Sequence, residues 1–152
     1  MRRVAIAIAT AGGVGYAPVA PGTAGSAVGI GIYWLTRSWS PAGQIALLLV
    51  ICAVGTWAST EAARHFNRKD PGHVVIDEVA GQLLTLLLTG AGWAGAIVGF
   101  LLFRLLDIIK PWPANRLEAL ADGLGVMADD LMAAAYGCVA MHVLLRLLPE
   151  GW

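Results

Sequence analysis

Two stretches of this chain carry no Asp, Glu, Lys or Arg, residues 38 to 60 and residues 79 to 103. Each exceeds the ~20 apolar residues that take a helix across the hydrocarbon core of a bilayer. In that medium every backbone N–H and C=O must be paired inside the segment, which favours helices. The sequence therefore predicts an all-α, multi-helix bundle embedded in a membrane. Its mean hydropathy of +0.71 and its 13% of charged residues agree, since soluble domains carry about 25%. Thr89-Gly90-Ala91-Gly92 breaks the second run as a turn. The expected layout is one domain over 1–152 with five main helices, roughly 24 to 36, 42 to 66, 74 to 89, 93 to 110 and 126 to 148. A short interfacial helix follows Pro113. Three of the five are shorter than a comfortable span; they tilt little, thin the bilayer locally or pack as a helical core.

Several function classes drop out early. Ten acids balance ten bases, so no net field draws nucleic acid. Cys52 and Cys138 lie in apolar runs without ligand-like spacing, as packing thiols do. Met1-Arg2-Arg3 and the apolar stretch behind it have the start of a signal peptide, but Gly12-Gly13-Val14-Gly15-Tyr16-Ala17-Pro18 interrupts it, and the segment is expected to stay in the mature protein. No GxxxxGK[ST] loop is present, neither cysteine is followed six residues later by Arg, and no serine nucleophile elbow appears. His65, His73 and His142 are isolated, and His142 reads as a hydrogen-bonded core residue.

Half of the ten acids fall in three short places: Asp77-Glu78, Asp107 and Asp129-Asp130. If the chain reverses at 37 to 41, 67 to 73, 90 to 92 and 111 to 125, these acids gather with Thr23, Glu61 and Lys110 near one end of the bundle. Arg2, Arg3, Arg64, Arg68, Lys69, Arg104 and Arg116 share that end, leaving Arg37 and Arg146 opposite. The positive-inside rule makes the shared end cytoplasmic. Glu78, Gln82, Thr85 and Thr89 form one polar stripe on a helix, which turns that helix toward the interior. Gly25 with Gly29, and Gly95 with Gly99, allow close helix packing within the chain.

Carboxylates converging at one end repel by about 4 kcal/mol per pair at 4 Å and an effective dielectric near 20. Either each pairs with a base, as Asp107 can with Arg104 or Lys110 on one helix, or the group holds a cation. Oxygen-only donors favour a hard ion, Mg²⁺ first and Mn²⁺ second. Magnesium beside a lysine and an arginine suits phosphate chemistry, with activated water attacking phosphorus in the absence of an evident protein nucleophile. Thr23, read as an N-cap after Pro21-Gly22, marks a helix start whose free N–H groups hold anions.

Pro21-Gly22-Thr23-Ala24-Gly25-Ser26, Ile76-Asp77-Glu78-Val79-Ala80-Gly81-Gln82, Phe103-Arg104-Leu105-Leu106-Asp107-Ile108-Ile109-Lys110-Pro111-Trp112-Pro113 and Gly125-Val126-Met127-Ala128-Asp129-Asp130 together resemble the phosphatidylglycerophosphatase A family, from about residue 12 to 140. The resemblance implies a multi-pass protein of the bacterial inner membrane with its active site on the cytoplasmic side. It would remove the terminal phosphate of phosphatidylglycerophosphate with Mg²⁺ to give phosphatidylglycerol. By the same resemblance Asp77 and Glu78 match the family's acidic pair, Asp107 and Lys110 its Asp-x-x-Lys-Pro-Trp-Pro element, Asp129 and Asp130 its paired aspartates, and Thr23 its Pro-Gly-Thr turn. Glu61 and Asp70 fall at less sharply defined positions, Asp70 in the polar loop Asn67 to His73.

The expected site follows. Glu78, Asp107, Asp129 and Asp130 bind Mg²⁺ with Glu61 and Asp77 as further ligands or base, while Lys110, Arg104 and the Thr23 helix start hold the phosphate. The acyl chains of the lipid stay in the membrane, no nucleic acid is involved, and the oligomeric state is left open. The competing readings are a phosphatase of another lipid phosphate, a cation-binding membrane transporter, and a scaffold whose acids serve ion pairs only.

Overall fold

The computed structural model of the chain describes residues 1–69, 71–117, 119, 120 and 122–148. Among them there are seven α-helices and no strand: α1 (Arg2–Ala9), α2 (Pro21–Thr36), α3 (Pro41–Phe66), α4 (Ile76–Thr85), α5 (Trp93–Ile109), α6 (Ala114–Leu117) and α7 (Asp122–Leu147). The fold is all-α as expected, with two differences of layout. The first is α1, a helix absent from the expected set. Its Ala5 and Ala9, one turn apart, pack against Ala58 and Ala62 of α3, and paired small residues let the two backbones come close.

The second concerns α4, expected over 74 to 89 but ending at Thr85. Leu88 adopts a positive φ of 57° and the Thr89 hydroxyl donates to the Leu86 carbonyl at 2.8 Å, so the turn starts inside the apolar run. At ten residues, α4 is only about 15 Å long. It is also the centre of the bundle, packed on α2, α3, α5 and α7. Asp77, Val79, Ala80, Gly81, Gln82, Leu83 and Thr85 are all buried. Gly25 and Gly29 of α2 make this possible: a Cβ at Gly25 would lie 2.8 Å from Val75 Cβ, and one at Gly29 2.7 Å from Gln82 Cβ. The small-residue spacing in α2 thus serves packing within the chain.

α3 and residues Gly123–Leu147 of α7 are long and apolar enough to cross a membrane by length and composition. Only 22% and 28% of their apolar windows are buried against the rest of the chain, unlike the core helices of a soluble protein. Leu49, Val50 and Val54 of α3, Ile97, Leu101, Leu105 and Ile108 of α5, and Val139, Val143 and Leu147 of α7 all face outward. This apolar surface is far larger than scattered exposed leucines would make.

The end of α2 and the start of α5 meet at one end of the bundle. There Trp34 stacks on Trp93 with ring centroids 3.8 Å apart, Arg37 lies over Trp34, and the Tyr33 hydroxyl donates to the Ala91 carbonyl at 2.9 Å. The starts of α2, α4 and α7 and the end of α5 form the other end, which holds the acids. Cys52 and Cys138 are free thiols, and His142 Nδ1 lies 2.9 Å from the Cys138 carbonyl oxygen.

Candidate active site

Three helices deliver the charged groups. Asp77 and Glu78 occupy the first turn of α4, where the helix dipole favours negative charge. Asp107 lies near the C-terminal end of α5, where the dipole disfavours it. Arg104, one turn back, compensates: its Nη1 donates to Asp107 Oδ2 at 2.6 Å and lies 3.7 Å from Glu78 Oε1. Lys110 caps α5 in a left-handed conformation and its Nζ bonds Asp129 Oδ2 of α7. Burial alone would lower the Lys110 pKa, but the hydrogen bond to Asp129 and the charges of Asp129, Asp130 and Asp107 hold it above the ordinary lysine value.

The two acidic pairs share a local arrangement. Glu78 N–H donates to Asp77 Oδ1 at 3.1 Å, and Asp130 N–H donates to Asp129 Oδ1 at 3.0 Å. In each pair the first carboxylate is held by the backbone of the second residue. Asp77, Asp107, Asp129 and Asp130 are at most 7% exposed. Burial of that many acids is costly without cations.

These side chains line a cavity of about 310 Å³ with Asp77, Glu78, Asp107, Lys110, Asp129 and Asp130 on its wall. Carboxylate oxygens of Asp77, Glu78 and Asp130 lie within 4.8 Å of one another and can hold a metal ion. Two oxygens in this group, Glu78 Oε2 and Asp130 Oδ2, are buried without a hydrogen-bond partner. Hard oxygen donors, three in number and converging from two helices, suit a divalent cation that keeps some of its waters. Asp107 and Asp129 each accept a hydrogen bond from a basic side chain, Arg104 and Lys110 respectively, and Arg104 also lies 3.7 Å from Glu78 Oε1.

The structure thus gathers Asp77, Glu78, Asp107, Lys110, Asp129, Asp130 and Arg104. Glu61 is not among them. It lies on another face of α3, where Arg64 Nη1 donates to its Oε1 at 2.9 Å, so the helical phase that turns Ala58 and Ala62 inward takes Glu61 away from the cavity. Thr23 needs a correction. It is the third residue of α2, and the N-cap is Ala20 in a left-handed conformation. Pro21 takes the first helical position because its fixed φ and missing N–H cost nothing there, moving the start upstream. Gly22 lines the cavity instead, and a Cβ there would sit 2.1 Å from Glu78 Oε1. Lys69 and Gly72, both in the polar loop Asn67 to His73, line it too, and nothing in the sequence of that loop assigns them to the site. A glycine directly after a helix-starting proline was the signal available for Gly22. Asp70 lies outside the described residues.

A family model described as phosphatidylglycerophosphatase A matches residues 7–145, which includes all four motifs and every side chain of the cavity. The chain belongs to the phosphatidylglycerophosphatase A family. It is an enzyme of that family, and two of its relatives carry the family's name. A phosphatidylglycerophosphatase A of Escherichia coli is 31% identical, covering 91% of this chain and 82% of the relative. One of Haemophilus influenzae is 29% identical over 87% of this chain and 83% of the relative. A Bacteroides thetaiotaomicron relative, 34% identical over 91% of both chains, carries the provisional name phosphatidylinositol-3-phosphatase. No solved structure matches the chain.

Proposed function

We propose that this chain, as a single domain, hydrolyses the terminal phosphomonoester of phosphatidylglycerophosphate to phosphatidylglycerol and inorganic phosphate at the cytoplasmic face of a bacterial inner membrane. One observation carries the reading: unpartnered carboxylate oxygens and the half-buried Lys110 meet on one cavity, with the half-buried Arg104 paired to its Asp107, at one end of an outwardly apolar bundle. Family membership supplies the substrate class. The apolar outer faces of α3, α5 and α7 would lie in lipid, with the acid end toward the cytoplasm, where most of the bases stand.

Asp77, Glu78 and Asp130 would hold Mg²⁺, a revision of the ligand set expected from sequence. When bound, the ion would offset charge on the phosphoryl oxygens and make water a better nucleophile. Asp129 keeps Lys110 in place and Asp107 keeps Arg104 in place. Both bases are thereby held, charged, where the oxygens of an entering phosphate need donors. Arg104 Nε, buried without an acceptor, is a further donor. Water attacks phosphorus, a carboxylate of the cluster accepts its proton, the bond from phosphorus to the glycerol oxygen breaks, and that oxygen takes the proton from the carboxyl group to leave as the alcohol. The acyl chains stay in the bilayer throughout.

The test is phosphate release by purified protein in detergent or nanodiscs, with phosphatidylglycerophosphate, phosphatidic acid, phosphatidylinositol 3-phosphate and glycerol 3-phosphate, each with Mg²⁺ or with EDTA. Magnesium-dependent release fastest from phosphatidylglycerophosphate is expected. Preference for the phosphoinositide would move the substrate toward that named for the Bacteroides relative. Metal flux through vesicles without hydrolysis would replace the enzyme reading with a transporter.

A further inference from the structure

Directly below the acids, α4 carries polar side chains that neither packing nor the hydrolytic steps explain. Gln82 and Thr85 are both fully buried. Gln82 Oε1, Gln82 Nε2 and Thr85 Oγ1 have no hydrogen-bond partner among the described residues, and neither does Glu78 Oε2 one turn above. Residues 78, 82 and 85 follow the four-then-three spacing that stacks side chains on one helix face. Among the helical hydroxyls, Ser26, Thr36, Thr56 and Thr60 each return their proton to the carbonyl four residues back, whereas Thr85, like Ser59 of α3, does not.

Space for this polar column is provided from two sides. Gly29 of α2 abuts the Gln82 stem, and a Cβ at Gly137 of α7 would lie 3.1 Å from Thr85 Oγ1. A methionine at position 82 would fill the same volume without two buried polar atoms, so the packing role alone calls for no amide. A carboxylate that binds a metal commonly needs its own hydrogen-bond donor to fix its orientation. On this face of α4, the uncommitted donor one turn from Glu78 is the Gln82 carboxamide.

We propose that Gln82 is a positioning residue for Glu78. With the cation bound, its Nε2–H reaches Glu78 Oε2 through one bridging water and so presents Glu78 Oε1 to the cation, while the Thr85 hydroxyl, joined to Gln82 Oε1 through a second water, fixes which way the amide points. This rests on the reading of Asp77, Glu78 and Asp130 as the cation site.

The experiment measures Mn²⁺ affinity by electron paramagnetic resonance, and the melting temperature in EDTA, for the full chain and for Gln82→Met. The Gln82→Met protein is expected to melt in EDTA at or above the temperature of the unsubstituted chain, because an isosteric apolar side chain replaces unpaired polar atoms. Its Mn²⁺ affinity is expected to fall by roughly tenfold or more. Thr85→Val should lower affinity by a smaller factor. Unchanged Mn²⁺ affinity in Gln82→Met would overturn the inference while leaving the cation site standing. Loss of cooperative melting in EDTA would also overturn it, since the amide would then serve the fold itself. If the unsubstituted chain binds no Mn²⁺, the cation reading fails, and this inference with it.

Discussion

Asp130→Asn separates a cation site from a set of ion pairs because its effects on stability have opposite signs with and without metal. Asp130 is 4% exposed, and one of its oxygens lies within 4.8 Å of ligand oxygens on both Asp77 and Glu78. Two unit charges at that distance and an effective dielectric of 20 repel by about 3.5 kcal/mol. Side-chain relaxation and partial screening reduce the gain from removing one charge to roughly 1–3 kcal/mol. In EDTA the Asn variant should therefore be more stable than the unsubstituted chain. In Mg²⁺ the order reverses. A ligand at 100 times its Kd stabilises by about 2.7 kcal/mol, and the variant, short of one charged ligand, forfeits most of that. The assay is thermal or denaturant unfolding of both proteins in the same detergent, with EDTA and across a magnesium titration, beside phosphate release. A variant that is less stable in EDTA and responds to Mg²⁺ as the unsubstituted chain does would refute the reasoning. That outcome would make Asp130 a structural hydrogen-bonding group.

Lys110→Met strips Asp129, 4% exposed at its side chain, of its base; breaking a buried pair from one side should cost about 3 kcal/mol of stability and lower kcat/KM at least 100-fold, checked by unfolding and release assays, with Lys110→Arg recovering part of both. Gly22→Ala pushes a methyl into Glu78 Oε1, 2.1 Å from its Cβ, so activity should drop at least tenfold at a given Mg²⁺ concentration while circular dichroism keeps its helical content. Glu61→Gln removes a pair whose arginine is 65% exposed; stability should move by less than about 0.5 kcal/mol and phosphate release by less than about twofold, and a large loss of release would return Glu61 to the site.

What could be read from the sequence, and what could not, divides along physical lines. Charge-free runs locate helices because hydropathy averages over many residues, and α3, α5 and α7 appear within a few residues of their expected bounds. Alternation then places acids at one end, and the cavity does collect Asp77, Glu78, Asp107, Asp129 and Asp130. Alternation says nothing about the face a side chain takes on its helix, which is why Glu61 shares the end but not the cavity. Composition also cannot mark a helix stop among leucines. Leu86, Leu87 and Leu88 read as continuing α4, and only the positive φ at Leu88 ends it. Nor does the sequence show which carboxylates accept a hydrogen bond from a base, as Asp107 and Asp129 do, and which keep a buried oxygen without a partner, as Glu78 and Asp130 do, because that depends on side-chain distances across α4, α5 and α7.

The shortness of α4 gives the proposed chemistry its depth. Asp130 is eight residues into α7, about 12 Å along the axis from its first residue, yet it meets Asp77 and Glu78 in the first turn of α4. α4 therefore starts well below the rim of the bundle, and the segment before it descends to that level, burying Pro71, Val74 and Val75 on the way. An acidic pair at the start of a full-length span would sit among headgroups and be screened by water and salt. Set into the bundle, above the fully buried Phe103 and Gln82, the same pair acts where the effective dielectric is lower and each contact with a cation or phosphate is stronger. The same depth makes unpaired acids costly, so a site built this way favours an occupied state in which cation and phosphate charge offset one another.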